Sequence, residues 1–171
     1  TDEGMCSASN FVLGDLVAED NCDSELSITH DAPEVFEPGE TIVTWTVKDK
    51  SGNTTTCTQT IIVIDNQAPV IAEVETINTT TDADTCGAMI SINAPEATDN
   101  CSVGNVIGTR DDNQDLDAEY PMGTTTITWT ATDVNGNEAV PVIQIVNVED
   151  NQAPIIAEVE TINTTTDTDT C

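Results

Sequence analysis

Basic side chains are nearly absent: Lys48, Lys50 and Arg110 stand against 32 Asp and Glu residues in 171, a formal net charge of −29. That excludes nucleic-acid binding, which relies on Lys and Arg at phosphates. Aromatics are scarce too, with two Trp, two Phe and one Tyr, leaving little platform for stacking sugars. The only His is His30, expected as a polar loop residue, so no His-based catalytic constellation can be assembled. No apolar run approaches the roughly 20 residues of a membrane span, and no signal-peptide pattern is present, so any export signal is expected outside this sequence. There is no Gly-x-Ser-x-Gly elbow, phosphate loop or His-Glu-x-x-His. Paired carboxylates abound, but modules of about 80 residues with so few aromatics offer little cleft for glycoside hydrolysis. The chain reads as non-enzymatic.

What is present is repetition. Residues 65 to 86, DNQAPVIAEVETINTTTDADTC, recur as residues 150 to 171, DNQAPIIAEVETINTTTDTDTC, identical at 20 of 22 positions at a spacing of 85. A period of that size suits one small domain per copy. Phe36, Gly39, Trp45, Asp49, Gly52 and Asn53 recur 84 residues later as Tyr120, Gly123, Trp129, Asp133, Gly136 and Asn137. Asn21 and Cys22 recur 79 residues later as Asn100 and Cys101, so the drifting offset marks a five-residue insertion between Cys22 and Phe36. The expected organisation is a first module over 1–65 without its first strand, a second over 66–150, and a linker with the first strand of a third repeat over 151–171. TDEGMC at the start shares the phase of TDADTC and TDTDTC, which leads us to expect a stretch of a longer array. The missing strand is expected from preceding residues or, in donor-strand fashion, from Pro154–Asp167 of a neighbouring molecule.

Alternation supplies the secondary structure. In TTTITWTATD, Thr125, Ile127, Trp129 and Ala131 share one face while Thr124, Thr126, Thr128 and Thr130 share the other, the period of a half-buried strand. TIVTWTVKD repeats this with Val43, Trp45 and Val47 inward; QTIIVID and IQIVNVED read as closing strands and CGAMISINAP as an early one. With β-branched residues dominant, no helical period, and turn residues between short segments, the fold class is all-β, a tandem of Greek-key sandwiches.

Each copy also carries an Asp-Asn-Cys loop (Asp20–Cys22; Asp99–Cys101), an aromatic and a Gly before a Thr-rich Trp strand, an Asp-x-x-Gly-Asn turn, and a Val/Ile strand running into Asp-Asn-x-Ala-Pro. Four motifs in this order, twice, resemble the hyalin repeat (HYR), an immunoglobulin-like module of animal extracellular proteins and of long arrays in bacterial surface adhesins. The resemblance implies immunoglobulin-like sandwiches over nearly the whole chain. The Thr-rich, Lys-poor style resembles the secreted arrays of Bacteroidetes, gliding-motility adhesins included.

The repeat preserves Cys6 and Cys22 as Cys86 and Cys101, which suggests Cys6–Cys22 and Cys86–Cys101 disulfides, each closing a loop of about 15 residues worth roughly 3 kcal/mol. Free thiols or zinc are the alternatives, zinc being disfavoured by the lack of Cys-x-x-Cys or His partners. Disulfides place the chain in a secreted, extracellular or cell-surface setting. In the resembling family a Cys near the final strand pairs with one in the first strand, implying an outside partner for Cys57, with a free core thiol as the alternative. Cys171 is likewise expected to pair beyond the end.

Carboxylates and amides gather where modules meet. Asp65-Asn66 and Asp150-Asn151 are junction residues, and Asn147-Val-Glu149-Asp150-Asn151 resembles the cadherin linker, where such groups hold calcium. Calcium takes six to eight oxygens, so Asp65, Asn66, Asp99, Asn100, Asp133, Asn147, Glu149, Asp150 and Asn151 are the candidate ligands, with Asn135 beside Asp133 able to add to the cage. The competing reading is that these are turn residues hydrogen-bonding their own backbone on a solvated acidic surface. Asn53, Asn78, Asn100 and Asn163 open glycosylation triplets, which arise readily in Thr-rich sequence.

The expected function is a structural repeat of a long extracellular stalk, filament or adhesin, giving reach and strength and stiffened by calcium at its junctions. Its expected partners are neighbouring repeats of the same chain, with lateral or end-to-end self-assembly. The alternative is a module whose loops bind a surface glycan or a receptor; only Ser24–Glu37 differs much between copies, which favours the structural reading.

Overall fold

Alternating Thr, Val and Ile residues produce strands throughout the computed structural model, which describes residues 1–9 and 11–164. The expectations for Asp167 and Cys171 lie outside the described residues. Eleven strands appear among those described: β1 (Ser27–His30), β2 (Gly39–Lys48), β3 (Thr54–Val63), β4 (Val70–Ile71), β5 (Ile77–Thr80), β6 (Gly87–Ala88), β7 (Ala97–Thr98), β8 (Val103–Arg110), β9 (Tyr120–Pro121), β10 (Gly123–Asp133) and β11 (Val142–Glu149). The fold is all-β, immunoglobulin-like, with no helix among the described residues.

In the second module the main sheet runs β5-β11-β10-β8, antiparallel except for the parallel β5–β11 pair, and β4-β7 and β6-β9 form two small sheets. The Trp strand buries the expected side: Thr125, Ile127, Trp129 and Ala131 are all buried, and Asp133 continues that face. Ile71, Tyr120, Val146 and Val148 complete one core. Trp129 Nε1 donates to Gln144 Oε1 at 3.0 Å, and Gln144 Nε2 donates to the Glu75 carbonyl at 3.2 Å, tying the indole to the segment between β4 and β5.

The first module has a three-stranded sheet, β1-β2-β3, and a smaller core of Phe36, Val43 and Val63. Val43 and Val47 are buried as expected, but Trp45 is only partly so. The difference follows from the sheet edge. Val146–Glu149 of β11 pair with β5, whereas among the described residues nothing pairs with the outer edge of β3 at the matching Ile61–Ile64.

Three local expectations need correction. CGAMISINAP forms strand only at Gly87–Ala88, opposite Pro121 and Tyr120; Ile90 and Ile92 still pack on the core, but past Ala88 the Met89 amide donates to Asp82 Oδ2 at 2.8 Å and the Glu119 carbonyl accepts from Arg110 at 3.1 Å, so the pairing goes no further. The length difference is an insertion in the second copy, since Cys101 to Tyr120 spans 19 positions and Cys22 to Phe36 only 14. The longer segment is organised by buried Arg110, which pairs with Asp112, donates to the carbonyls of Asp115, Ala118 and Glu119, and lies 3.9 Å over the Tyr120 ring. His30 is on β1, not in a loop, with its ring edge-on to Trp45 at 4.9 Å.

Candidate functional site

The Asp-x-x-Gly-Asn turn folds on its own aspartate. Asp133 Oδ1 accepts from the amides of Asn135 at 2.9 Å and Asn137 at 2.7 Å, and Oδ2 accepts from Asn137 Nδ2 at 2.6 Å. Gly136 closes the turn at φ 92, a left-handed conformation that suits glycine. A register shift between Ala131 and Asp133 re-aims the end of β10 just there. In the neighbouring Asp-Asn-Cys loop, Asp99 Oδ2 accepts from the Cys101 amide at 2.9 Å.

These two loops of the second module receive the base of the first. Asp65, 3% exposed, directs its carboxylate at both: Oδ1 accepts from Asn100 Nδ2 at 3.1 Å, and Oδ2 from Asn135 Nδ2 at 2.9 Å. Asn137 Nδ2 donates to the Asp65 carbonyl at 3.2 Å. Thr1 Oγ1 and the Gln67 amide also donate to Asp65 Oδ1, each at 3.2 Å, and Asn100 Nδ2 reaches the Met5 carbonyl at 3.0 Å. The loop after Thr1 is clamped by Gln67, whose Nε2 donates to the Asp2 carbonyl at 3.0 Å and whose Oε1 accepts from the Gly4 amide at 2.9 Å.

Across this junction runs a disulfide, Cys6–Cys101, with Cα atoms 4.5 Å apart. This corrects the expected pairing. Cys6 and Cys22 belong to opposite ends of a module, as do Cys86 and Cys101, so the repeat keeps them together without bringing either pair into contact. Cys22, Cys57 and Cys86 are free and exposed among the described residues, which also overturns a core position for the Cys57 thiol.

One carboxylate oxygen from each of Asp65, Asp99 and Asp133 lies within 4.8 Å of the other two. Beside them, Asp99 Oδ1 and Asn100 Oδ1 are buried and accept no hydrogen bond among the described residues. Burial pushes Asp65 up, but the hydrogen bonds from Asn100, the Gln67 amide, Asn135 and Thr1 outweigh it and hold the carboxyl below its ordinary value. Burial likewise pushes Asp133 up, and the Asn137, Asn135 and Gly136 donors bring it below. A depressed folded-state value means that the stabilisation is complete above the unfolded value, about pH 4, and is lost as pH falls through the lower folded one. The melting temperature is therefore expected to be flat from pH 7 to 5 and to fall below pH 4, with a shallower fall in Asp65→Asn; parallel curves for the two proteins would refute the assignment.

Of the other predicted ligands, Asn66, Glu149, Asp150 and Asn151 are exposed, and the carboxylates of Glu149 and Asp150 do not join this cluster. Asn147 belongs to a ladder on the sheet face, accepting from Thr124 Oγ1 at 2.9 Å and donating to Asn78 Oδ1 at 2.8 Å. The candidate set included Asn135 and omitted Gln67 and Asn137. The signal for Asn137 was the repeated Gly-Asn turn, and for the glutamine the invariant third position of Asp-Asn-Gln-Ala-Pro in both repeats.

Comparison with known proteins places this geometry in a family context. The HYR domain matches residues 7–63 and again 64–148. The chain is 34% identical over 145 residues to hyalin of Lytechinus variegatus, covering 82% of the chain and 27% of that protein. It is 34% identical over 155 residues to hyalin of Strongylocentrotus purpuratus, 88% of the chain and 13% of that protein. A rat protein named for sushi, von Willebrand factor type A, EGF and pentraxin domains is 32% identical over 154 residues, 84% of the chain but 4% of its own length. The chain thus spans about a quarter or less of these relatives. A crystal structure of human protocadherin-24 EC1-2 aligns with TM-score 0.39 and 18% identity over 80% of the chain and 87% of that structure. These relatives are animal proteins, so the bacterial style read from composition finds no support in them.

Proposed function

This chain belongs to the HYR domain family, and we propose that it is a non-enzymatic structural segment of an extracellular or cell-surface stalk, filament or adhesin whose junctions are stiffened by calcium. The observation that carries the reading is the junction itself. A linker aspartate and two loop aspartates converge from different modules, next to two buried oxygens that find no donor among the described residues. Three carboxylates so close repel one another, and a cation relieves that repulsion while satisfying the orphaned oxygens.

The donor set is all oxygen, as a hard divalent ion requires, and the nearby sulfurs are tied in a disulfide, which disfavours zinc. Asp65, Asp99, Asp133 and Asn100 Oδ1 would hold the ion, which would supply charge neutralisation and remove hinge freedom between modules. The Cys6–Cys101 bond supports an oxidising, extracellular setting. Calcium is expected to raise the melting temperature by several degrees and to narrow the distribution of inter-module angles seen by small-angle scattering, reversibly on chelation. Asp99→Asn should abolish both responses. Identical melting and scattering with calcium and with chelator would refute the cation while leaving the disulfide-linked segment intact.

A further inference from the structure

The two modules differ at one place beside the Trp strand. His30 lies opposite Trp45 on β2 as Gly108 lies opposite Trp129 on β10. Two residues further along the same face, Ala32 therefore stands where the second module has Arg110, and after two more Glu34 stands where it has Asp112. Phe36 and Tyr120 correspond as well, since they pair with Ala8 and Ala88. In the second module Arg110 is fully buried, lies 3.9 Å over the Tyr120 ring and donates to both oxygens of Asp112. Leu116, from the longer segment that follows, packs on the same core, and its carbonyl accepts from the Tyr120 hydroxyl at 3.0 Å.

The first module keeps the ring and the acid but has neither the guanidinium nor the longer segment. In their place is an open cleft of about 430 Å³ lined by Phe11, His30, Ala32, Glu34, Phe36 and Trp45. Phe36 is buried beneath it, while Phe11 is 40% exposed. Two tilted ring pairs, Phe11 on Phe36 and His30 on Trp45, each with centroids 4.9 Å apart, make the lining aromatic. The Glu34 carboxylate has no ion-pair partner among the described residues. The groups that fill this place in the second module come from the end of β8 and the segment after it, and their counterparts at 32–36 are all present. The cleft thus comes from alanine at 32 and a shorter connection to Phe36, not from an unpaired strand edge.

We propose that this cleft receives an arginine side chain from a partner protein, which takes there the place that Arg110 takes within the second module. A planar guanidinium stacks on aromatic rings and forks onto a carboxylate, so it matches both the lining and Glu34. A neutral apolar occupant would gain nothing from the acid. The net charge of −29 draws a basic segment towards this surface. The only arginine of the sequence is the buried Arg110, so a second copy does not supply the side chain and the partner is a different protein. The inference goes beyond the stalk reading, shares no residue with the junction and does not rest on the cation there.

The test is a titration of the isotope-labelled full chain with the peptide Gly-Gly-Arg-Gly-Gly at about 150 mM salt, where diffuse attraction to the acidic surface is screened. The Trp45 indole resonance should shift saturably, and that of the buried Trp129 should stay in place. The same peptide with citrulline for arginine should give no saturable shift, and with lysine it should bind about fivefold more weakly, lacking the planar fork. Glu34→Gln, at an exposed position that leaves the fold intact, should weaken the arginine peptide by about fivefold. Ala32→Arg should bring a guanidinium of the chain's own into the cleft and abolish the shift. Absence of a saturable Trp45 shift, citrulline or lysine peptides that bind as tightly as the arginine peptide, or undiminished binding in Glu34→Gln would each overturn the proposal.

Discussion

Cys101→Ser is expected to uncouple the two modules and to destabilise the first by up to about 4.7 kcal/mol, the chain-entropy value for a loop near 100 residues. The native bond spans 95 residues and closes the interface where Asp65 is hydrogen-bonded to Asn100, Asn135 and Asn137. Among the described residues that module buries four apolar side chains, Phe36, Val43, Val47 and Val63, and nothing pairs with the outer edge of β3. A small core of this kind has little stability to lose. In calorimetry the wild type should melt in transitions that overlap, and the variant should show a separate, earlier transition for the first module. Cys22→Ser, at the position expected to hold the disulfide partner of Cys6, should leave the melting unchanged. Equal melting of Cys101→Ser and wild type would refute the stapled junction.

Trp129→Ala should cost about 3–5 kcal/mol, the range for truncating a large buried aromatic. Its side chain is fully buried, and Gly108 is held without a side chain because a Cβ there would sit 2.6 Å from the ring. Truncation also strands Gln144, which bridges the indole and the Glu75 carbonyl. Urea denaturation should register the loss in the second module, and because Asp99 and Asp133 belong to that module, any calcium response should weaken with it. Trp45→Ala, at the corresponding but partly exposed position, should cost distinctly less. Equal costs would mean that the first module packs its Trp as tightly as the second, contrary to the open edge of β3.

The faces of β2 and β10 were legible because one side of each strand must meet a core: Val43, Val47, Ile127 and Trp129 fall where period-two alternation puts them. CGAMISINAP was not, since its pairing depends on groups outside the segment: Asp82 takes the Met89 amide and Arg110 takes the Glu119 carbonyl. At the junction, Asp65, Asp99 and Asp133 were legible as types because Asp-Asn loops recur where modules meet. That they converge, and that Asn147 and Glu149 do not join them, depends on how the base of one module seats on the loops of the next. No local pattern encodes that seating.

The cysteines mark the division most sharply. Sequence alone determined the all-β class, the repeat, the acidic, cation-poor surface and the family. It determined which cysteines are equivalent, but equivalence orders residues along a chain and says nothing of distance. Only the tertiary structure decided that Cys6 bonds to Cys101 across 95 residues, because two modules stacked base to loop bring together positions that belong to different copies. A disulfide forms where Cα atoms come within several ångströms, and in this fold that proximity is created between modules and not inside them.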